Sequence, residues 1–298
     1  MKPRSVLAWD RHRRTVVLLA ESLACAYGAG SLPIMLREIA KARRVKEVVF
    51  APLLKDGFLV AGTDGFSIHV NCPKEKVEAW TETWNDQRDG GRGLPERCRF
   101  TLAHEIAHTF FFDIGKRTIR PLVNVRTLYA RKATERACNL AAGHLLVPEA
   151  ILCAQRKEGL IAPLDFFDAR DIAVLRRRAR ISAEALLIRL ANATIWEGDP
   201  GAIFYLQEQD GSLVAQDFII HGSLRNLFPP APRGTPAADL LLCPELICYG
   251  GKRSVTVNSL PRAPRSRPTP RPFVVTCVRV YDRGRTYFVA MRPGERPD

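Results

Sequence analysis

The sequence predicts an α+β protein in which helices and strands segregate along the chain. Segments with apolar residues at helical spacing dominate up to residue 193, a cluster of β-rich runs between Val48 and Asn71 interrupts them, and beyond Gly198-Asp199-Pro200-Gly201 the pattern turns to strands. With 298 residues, 46% of them hydrophobic, the chain can bury a substantial core.

Residues 11–27 and 33–44 read as two helices parted by Gly28-Ala29-Gly30-Ser31, and Leu32, Met35, Leu36 and Ile39 share a face of the second. Val48 to Leu53 is β-rich. Asp56-Gly57 and Asp64-Gly65 are turn signals, before Phe58-Leu59-Val60 and Phe66 to Asn71 respectively. A small antiparallel meander is therefore expected. Residues 74–97 read as a polar loop with a short helix carrying Trp80 and Trp84. A tolerated insertion is the expectation for this loop; a lid over a cleft is the alternative. The next helix is expected from about Thr101, its N-cap, to Phe112. After a linker over 113–132, a helix over 133–146 stops before Val147-Pro148. Helices near 168–179 and 183–193 follow. Strands are expected at 202–206, 214–221, 254–257, 273–280 and 286–291, interrupted by proline-rich breaks at 229–236 and 261–272. The expected organisation is 1–160, 161–197 and 198–298.

The formal net charge of +14 is compatible with acidic partners, nucleic acid included, but a solvated arginine-rich surface is the plainer expectation. Eight scattered cysteines without Cys-x-x-Cys point to reduced thiols in a cytoplasm rather than to staples or a zinc ribbon. Val16 to Ala26 imitates a signal peptide, but Glu21 interrupts it, so an amphipathic helix is expected. No apolar run approaches the roughly 20 residues of a membrane span.

Within Arg99-Phe100-Thr101-Leu102-Ala103-His104-Glu105-Ile106-Ala107-His108 lies His-Glu-x-x-His. Histidines four apart on a helix share a face and can reach one metal ion, and the adjacent glutamate can deprotonate a water on it. A hydrolytic zinc site needs a third protein ligand. Glu135 and His144 are both downstream. At about 100° per residue Glu135, Asn139 and Ala142 share one helix face, whereas His144 points nearly opposite Glu135. Glu135 as third ligand gives Asn139 a use, since its amide oxygen can accept the second N–H of a ligating imidazole. His12, His69, His144 and His221 read as bystanders.

Three segments carry a resemblance to the ImmA/IrrE family of metallopeptidases, a gluzincin-like group: Phe66 to Asn71, Arg99 to His108, and Glu135-x-x-Cys138-Asn139-x-x-Ala142-x-x-Leu145-Leu146-Val147-Pro148. Cys138 departs from the alanine usual in the family. The resemblance spans about residues 15–195. It implies a minimal zincin-like domain with a small antiparallel sheet, an active-site helix and a glutamate helix. It implies His104, His108 and Glu135 as Zn2+ ligands, with Mn2+ as the alternative metal, and Glu105 as general base of an endopeptidase. It further implies a helix-turn-helix repressor as substrate, controlling a stress-response or mobile-element regulon, and a GAF-like domain over residues 202–298. Tyr129 is the candidate second oxyanion donor. Phe66 to Asn71 is either a strand that pairs with substrate or plain sheet.

Asp168 to Ala179, the turn Arg180-Ile181-Ser182, and Ala183 to Leu190 imitate a helix-turn-helix, with Arg176-Arg177-Arg178 and Arg180 for phosphate contact. Packing on the catalytic domain is the plainer expectation. The competing function is a DNA-binding or interaction regulator whose metal site is structural or vestigial; an intact Glu105 argues against it.

Overall fold

The computed structural model describes residues 4–28, 30–122, 128–161, 169–196, 201–209, 212–221, 235–236, 251–257, 271–280 and 286–293. Two compact units emerge, Met1–Ile151 with Arg177–Ser182, and Leu152–Arg176 with Ala183–Asp298.

In the first unit the helices are α1 (Arg4–Tyr27), α2 (Leu36–Ala42), α3 (Val77–Asn85), α4 (Glu96–His108) and α5 (Leu128–Leu146), and α6 (Glu149–Lys157) begins at its end. Strands β1 (Val45–Ala51), β2 (Gly57–Ala61) and β3 (Phe66–Asn71) form one sheet; β4 (Phe112–Asp113) and β5 (Arg120–Pro121) form a two-residue ladder. The helix carrying Trp80 and Trp84 is α3, as expected.

The antiparallel meander is corrected. The strand order is β1-β3-β2, and β1 runs parallel to β3 while β2 pairs with it antiparallel. Burial explains the order: Phe66, Ile68 and Val70 are fully buried, so β3 takes the centre, and β2, with Phe58 and Val60 exposed, takes an edge. Phe66 to Asn71 is therefore the inner strand, paired on both sides, and β1 and β2 form the two edges of the sheet.

Two helix starts are also corrected. The motif helix begins at Glu96, after Pro95, not at Thr101. Proline fixes the entry φ and needs no amide partner there, and Thr101 lies in the second turn, its hydroxyl bonded to the Arg97 carbonyl at 3.0 Å. Helix α5 begins at Leu128, within the expected linker.

The segment before α4 is pinned rather than free. Arg99 is fully buried on α4, and its guanidinium donates to the carbonyls of Gly91 at 2.7 Å and Ile34 at 3.0 Å. Gly91 has φ +82°, and a Cβ there would meet Cε3 of Trp84 at 2.9 Å. No residue of 73–97 lines the cleft described below, so the lid alternative has no support.

Helices α4 and α5 pack together, and α5 packs its other side on α1. Ala103, Ala107, Ala141 and Ala142 are completely buried, and such short side chains let helix backbones approach closely. Glu21 of α1, the charge that broke the signal-like stretch, sits against this bundle. Its carboxylate accepts Nδ1–H of His144 at 2.5 Å and the backbone amide of Glu149 at 2.9 Å, capping α6. His144 is thus engaged away from any metal ligand. Among the described residues Cys25, Cys72, Cys98 and Cys138 are free thiols, and no single helix is long and apolar enough to cross a membrane.

In the second unit the helix pair is α7 (Ala169–Ala179), which ends in the first unit, and α8 (Ala183–Ala191); Arg180 turns the chain between them at φ 49°. Trp196 is fully buried and donates Nε1–H to the Leu190 carbonyl at 2.8 Å. Strands β6 (Gly201–Gln209), β7 (Ser212–His221), β8 (Thr235–Pro236), β9 (Gly251–Val257), β10 (Arg271–Val280) and β11 (Thr286–Pro293) form an antiparallel sheet in the order β8-β7-β6-β11-β10-β9. All five expected strands are present; β8 is extra, at the end of the first proline-rich break.

Candidate metal centre

Helix α4 sets His104 and His108 one turn apart, with their Nε2 atoms 3.0 Å from each other. Helix α5 delivers Glu135 opposite them. Its Oε2 lies 3.2 Å from Nε2 of His104 and its Oε1 3.6 Å from Nε2 of His108. One donor atom from each of the three residues falls within 4.8 Å of the others, close enough for a single ion to touch all three. Asn139, one turn beyond Glu135, holds Oδ1 at 2.8 Å from Nδ1 of His104. Nδ1 therefore carries the proton and Nε2 offers its lone pair to the centre. This donor set suits a divalent ion such as zinc: two imidazole nitrogens and a carboxylate, one imidazole fixed from behind.

Burial and neighbouring charges tune several groups here. Hydrogen bonds from His104 and His108 hold the Glu135 carboxyl far below its ordinary range, although burial works against them. Burial opposes the charged form of His104, but the Glu135 hydrogen bond and the charges of Glu105 and Glu135 outweigh it, and its pKa is raised. Glu105 is buried; desolvation raises its pKa, and the neighbouring imidazoles pull the other way. Burial pushes the Cys138 thiol well up, so this residue acts as a small apolar filler in place of alanine.

All four sequence-predicted residues line one cleft of about 620 Å³. Its other walls are Lys55, Asp56, Gly57, Phe58 and Leu59 from the β2 side, Phe100 and Thr101 from α4, and Phe111, Phe112 and Pro121 beyond it. This aromatic wall is hard to read from the sequence, beyond the run Phe110-Phe111-Phe112 just past the motif. His69 stacks on Phe58 with centroids 4.6 Å apart and stays out of the metal group. The side chains of Tyr129, His12 and His221 lie outside the described residues.

Gly57, readable only as a turn residue, has a different use. A Cβ there would fall 2.6 Å from Cγ2 of Thr101, 2.9 Å from the His69 carbonyl oxygen and 3.4 Å from Cγ of Glu105. The missing side chain lets β2 lie directly against the face of α4 that bears Glu105. Gly57→Ala is expected to cost about 1–3 kcal/mol of stability and to lower kcat. Thermal melts and steady-state rates check this, and an unchanged melting temperature would contradict the close approach. Asn139→Ala is expected to weaken metal affinity about 10–100-fold. Competition with a chromophoric chelator measures it, and wild-type affinity would remove Asn139 from the site.

Residues 94–191 match the family described as the IrrE N-terminal-like domain, peptidase M78. This segment belongs to the ImmA/IrrE family. The radiation response metalloprotease IrrE of Deinococcus radiodurans is 33% identical over 104 residues, which are 34% of this chain and 29% of that protein. The chain thus matches less than a third of that relative's length. A solved transcriptional regulator of Mycobacterium tuberculosis superposes with a TM-score of 0.52 at 14% identity, over 95% of this chain and 90% of that one. That likeness is one of fold. The family segment contains α4 and α5, and with them the four residues just described.

Proposed function

We propose that this chain is a zinc-dependent endopeptidase of the His-Glu-x-x-His-plus-glutamate type. His104, His108 and Glu135 hold the metal, and Glu105 is the general base. The observation that carries the reading is the convergence of two helices that brings a carboxylate onto two imidazoles beside a buried glutamate. Zinc bound there supplies Lewis acidity and a water of lowered pKa. Glu105, with its raised pKa, accepts a proton from the attacking water and hands it to the leaving amine nitrogen. Asn139 keeps His104 in the tautomer that presents Nε2. The free edge of β2 receives the substrate as an added strand, and its main-chain bonds bring the scissile carbonyl toward Glu105.

The substrate in this reading is a helix-turn-helix transcriptional repressor in the cytoplasm, whose cleavage induces a stress-response or mobile-element regulon. Residues 1–160 form the peptidase domain, 161–197 a helical segment and 198–298 a GAF-like sensor; the six-stranded antiparallel sheet supports the last assignment. Exposed Arg177, Arg178 and Arg180 favour a second reading, a DNA-binding regulator. One experiment separates the two. The full chain with zinc is incubated with helix-turn-helix proteins of the same genome, and fragments are identified by mass spectrometry. Zinc-dependent cleavage at one site supports the peptidase. No cleavage, together with salt-sensitive DNA binding, supports the regulator.

A further inference from the structure

The last turn of α4 carries His108, and helix ends fray because their final carbonyls lack partners within the helix. A buried 3-10 turn over Thr109–Phe111 follows directly, so whatever fixes Thr109 also fixes the end of α4. Arg43 lies at the end of α2, and Arg44 after it adopts φ 59°, turning the chain into β1. The Arg43 side chain runs across to the end of α4. Its Nε donates to Oγ1 of Thr109 at 3.1 Å, and its terminal N–H donates to the Thr109 carbonyl at 2.7 Å. The guanidinium also lies 5.4 Å from the centroid of Phe110. Thr109 follows His108 directly, and its hydroxyl donates to the Ile106 carbonyl at 2.6 Å.

Arg43 is buried, and desolvation lowers its pKa to about 10, so it remains charged at neutral pH. Among the described residues no carboxylate forms an ion pair with it. A buried cation without a counter-ion is a costly way to fill space, and an apolar side chain would fill it more cheaply. What only the planar fork supplies is two directed bonds to one residue, with a ring beneath it. These bonds fix the backbone and side chain of Thr109 together, at the negative end of the helix dipole.

We propose that Arg43 is a positioning residue of the metal site: it locks the last turn of α4 and so sets the direction of the His108 imidazole. The inference rests on the metal reading above. The test uses the full chain with Zn2+ and with Co2+ as probes, in wild type, Arg43→Met, Arg43→Lys and Thr109→Val. Affinity is read by chelator competition, ligand geometry by the visible Co2+ bands, and fold by thermal melts of the metal-free protein. Arg43→Met is expected to weaken Zn2+ binding about 10–100-fold and to shift the Co2+ bands. Arg43→Lys, which keeps the charge and can reach one acceptor, is expected to fall between it and wild type. Thr109→Val keeps the carbonyl bond and is expected to lose less than Arg43→Met. Lowered melting temperatures with wild-type affinity and bands would overturn the proposal, leaving Arg43 a mere structural prop. If Arg43→Met does not fold, wild-type affinity and bands in both Arg43→Lys and Thr109→Val overturn it equally. A wild type that binds no Zn2+ would instead overturn the metal reading, and the proposal with it.

Discussion

Glu105→Gln is expected to slow peptide cleavage about 10²–10⁴-fold while leaving metal binding intact. The substitution is nearly isosteric, so it fits where Glu105 lies beside Gly57. It removes only the ability to take up a proton. The loss corresponds to about 3–5 kcal/mol of transition-state stabilisation. Glu105 is buried on α4 and is not among the three residues whose donor atoms cluster, so the metal stays. Single-turnover rates beside a zinc titration separate the two effects. Residual activity within tenfold of wild type would assign proton transfer to another group. Loss of zinc would mean that Glu105 is a ligand.

Glu135→Ala is expected to weaken zinc binding by more than the roughly 10–100-fold assigned to an outer partner, because a first ligand is removed. Full zinc occupancy in Glu135→Ala would exclude this carboxylate from the set. The same trio predicts how pH acts. Glu135 titrates below its ordinary 4.5, so its pairing contributes stability above that value and loses it as pH falls through the folded pKa. His104 titrates above its ordinary 6.5, so its contribution is complete below that value and disappears as pH rises through the folded pKa. The metal-free pair is therefore worth most between about 4.5 and 6.5. Glu135 is more than half exposed, so solvent screens much of that gain. Metal binding runs the opposite way, because the ion must displace the His104 proton. The rise in melting temperature on adding zinc should grow from pH 5 to pH 8. A rise independent of pH would show that no ligand proton is displaced.

What could be read in the sequence was local. His104 and His108 share a face because of the helical period, and Asn139 follows Glu135 by one turn for the same reason. Both relations hold wherever the helices pack, and the structure brings the two pairs together. The five long C-terminal strands were equally legible as β-rich runs between breakers. What was hidden depends on contacts between distant segments. The order β1-β3-β2 follows from a contest over burial that three short runs cannot decide alone. Asp56-Gly57 reads as a turn until α4 is seen to lie against it. Arg43 and Thr109 are 66 residues apart, and no spacing rule joins them. The start of α4 was misplaced because Thr101 is a good cap by type, whereas Pro95 begins the helix without a side-chain cap.

The bond between Glu21 and His144 also orders events in time. These residues lie 123 positions apart, and they join the first helix to the one that carries Glu135 and Asn139. At about 5–20 residues per second of synthesis, α1 waits roughly 6–25 s for its partner. Within that interval His108 precedes Glu135 by 27 residues, roughly 1–5 s of synthesis. In the proposed reading a newborn chain thus passes through a stage with two imidazoles and no third ligand, which ends only when α5 packs against α4.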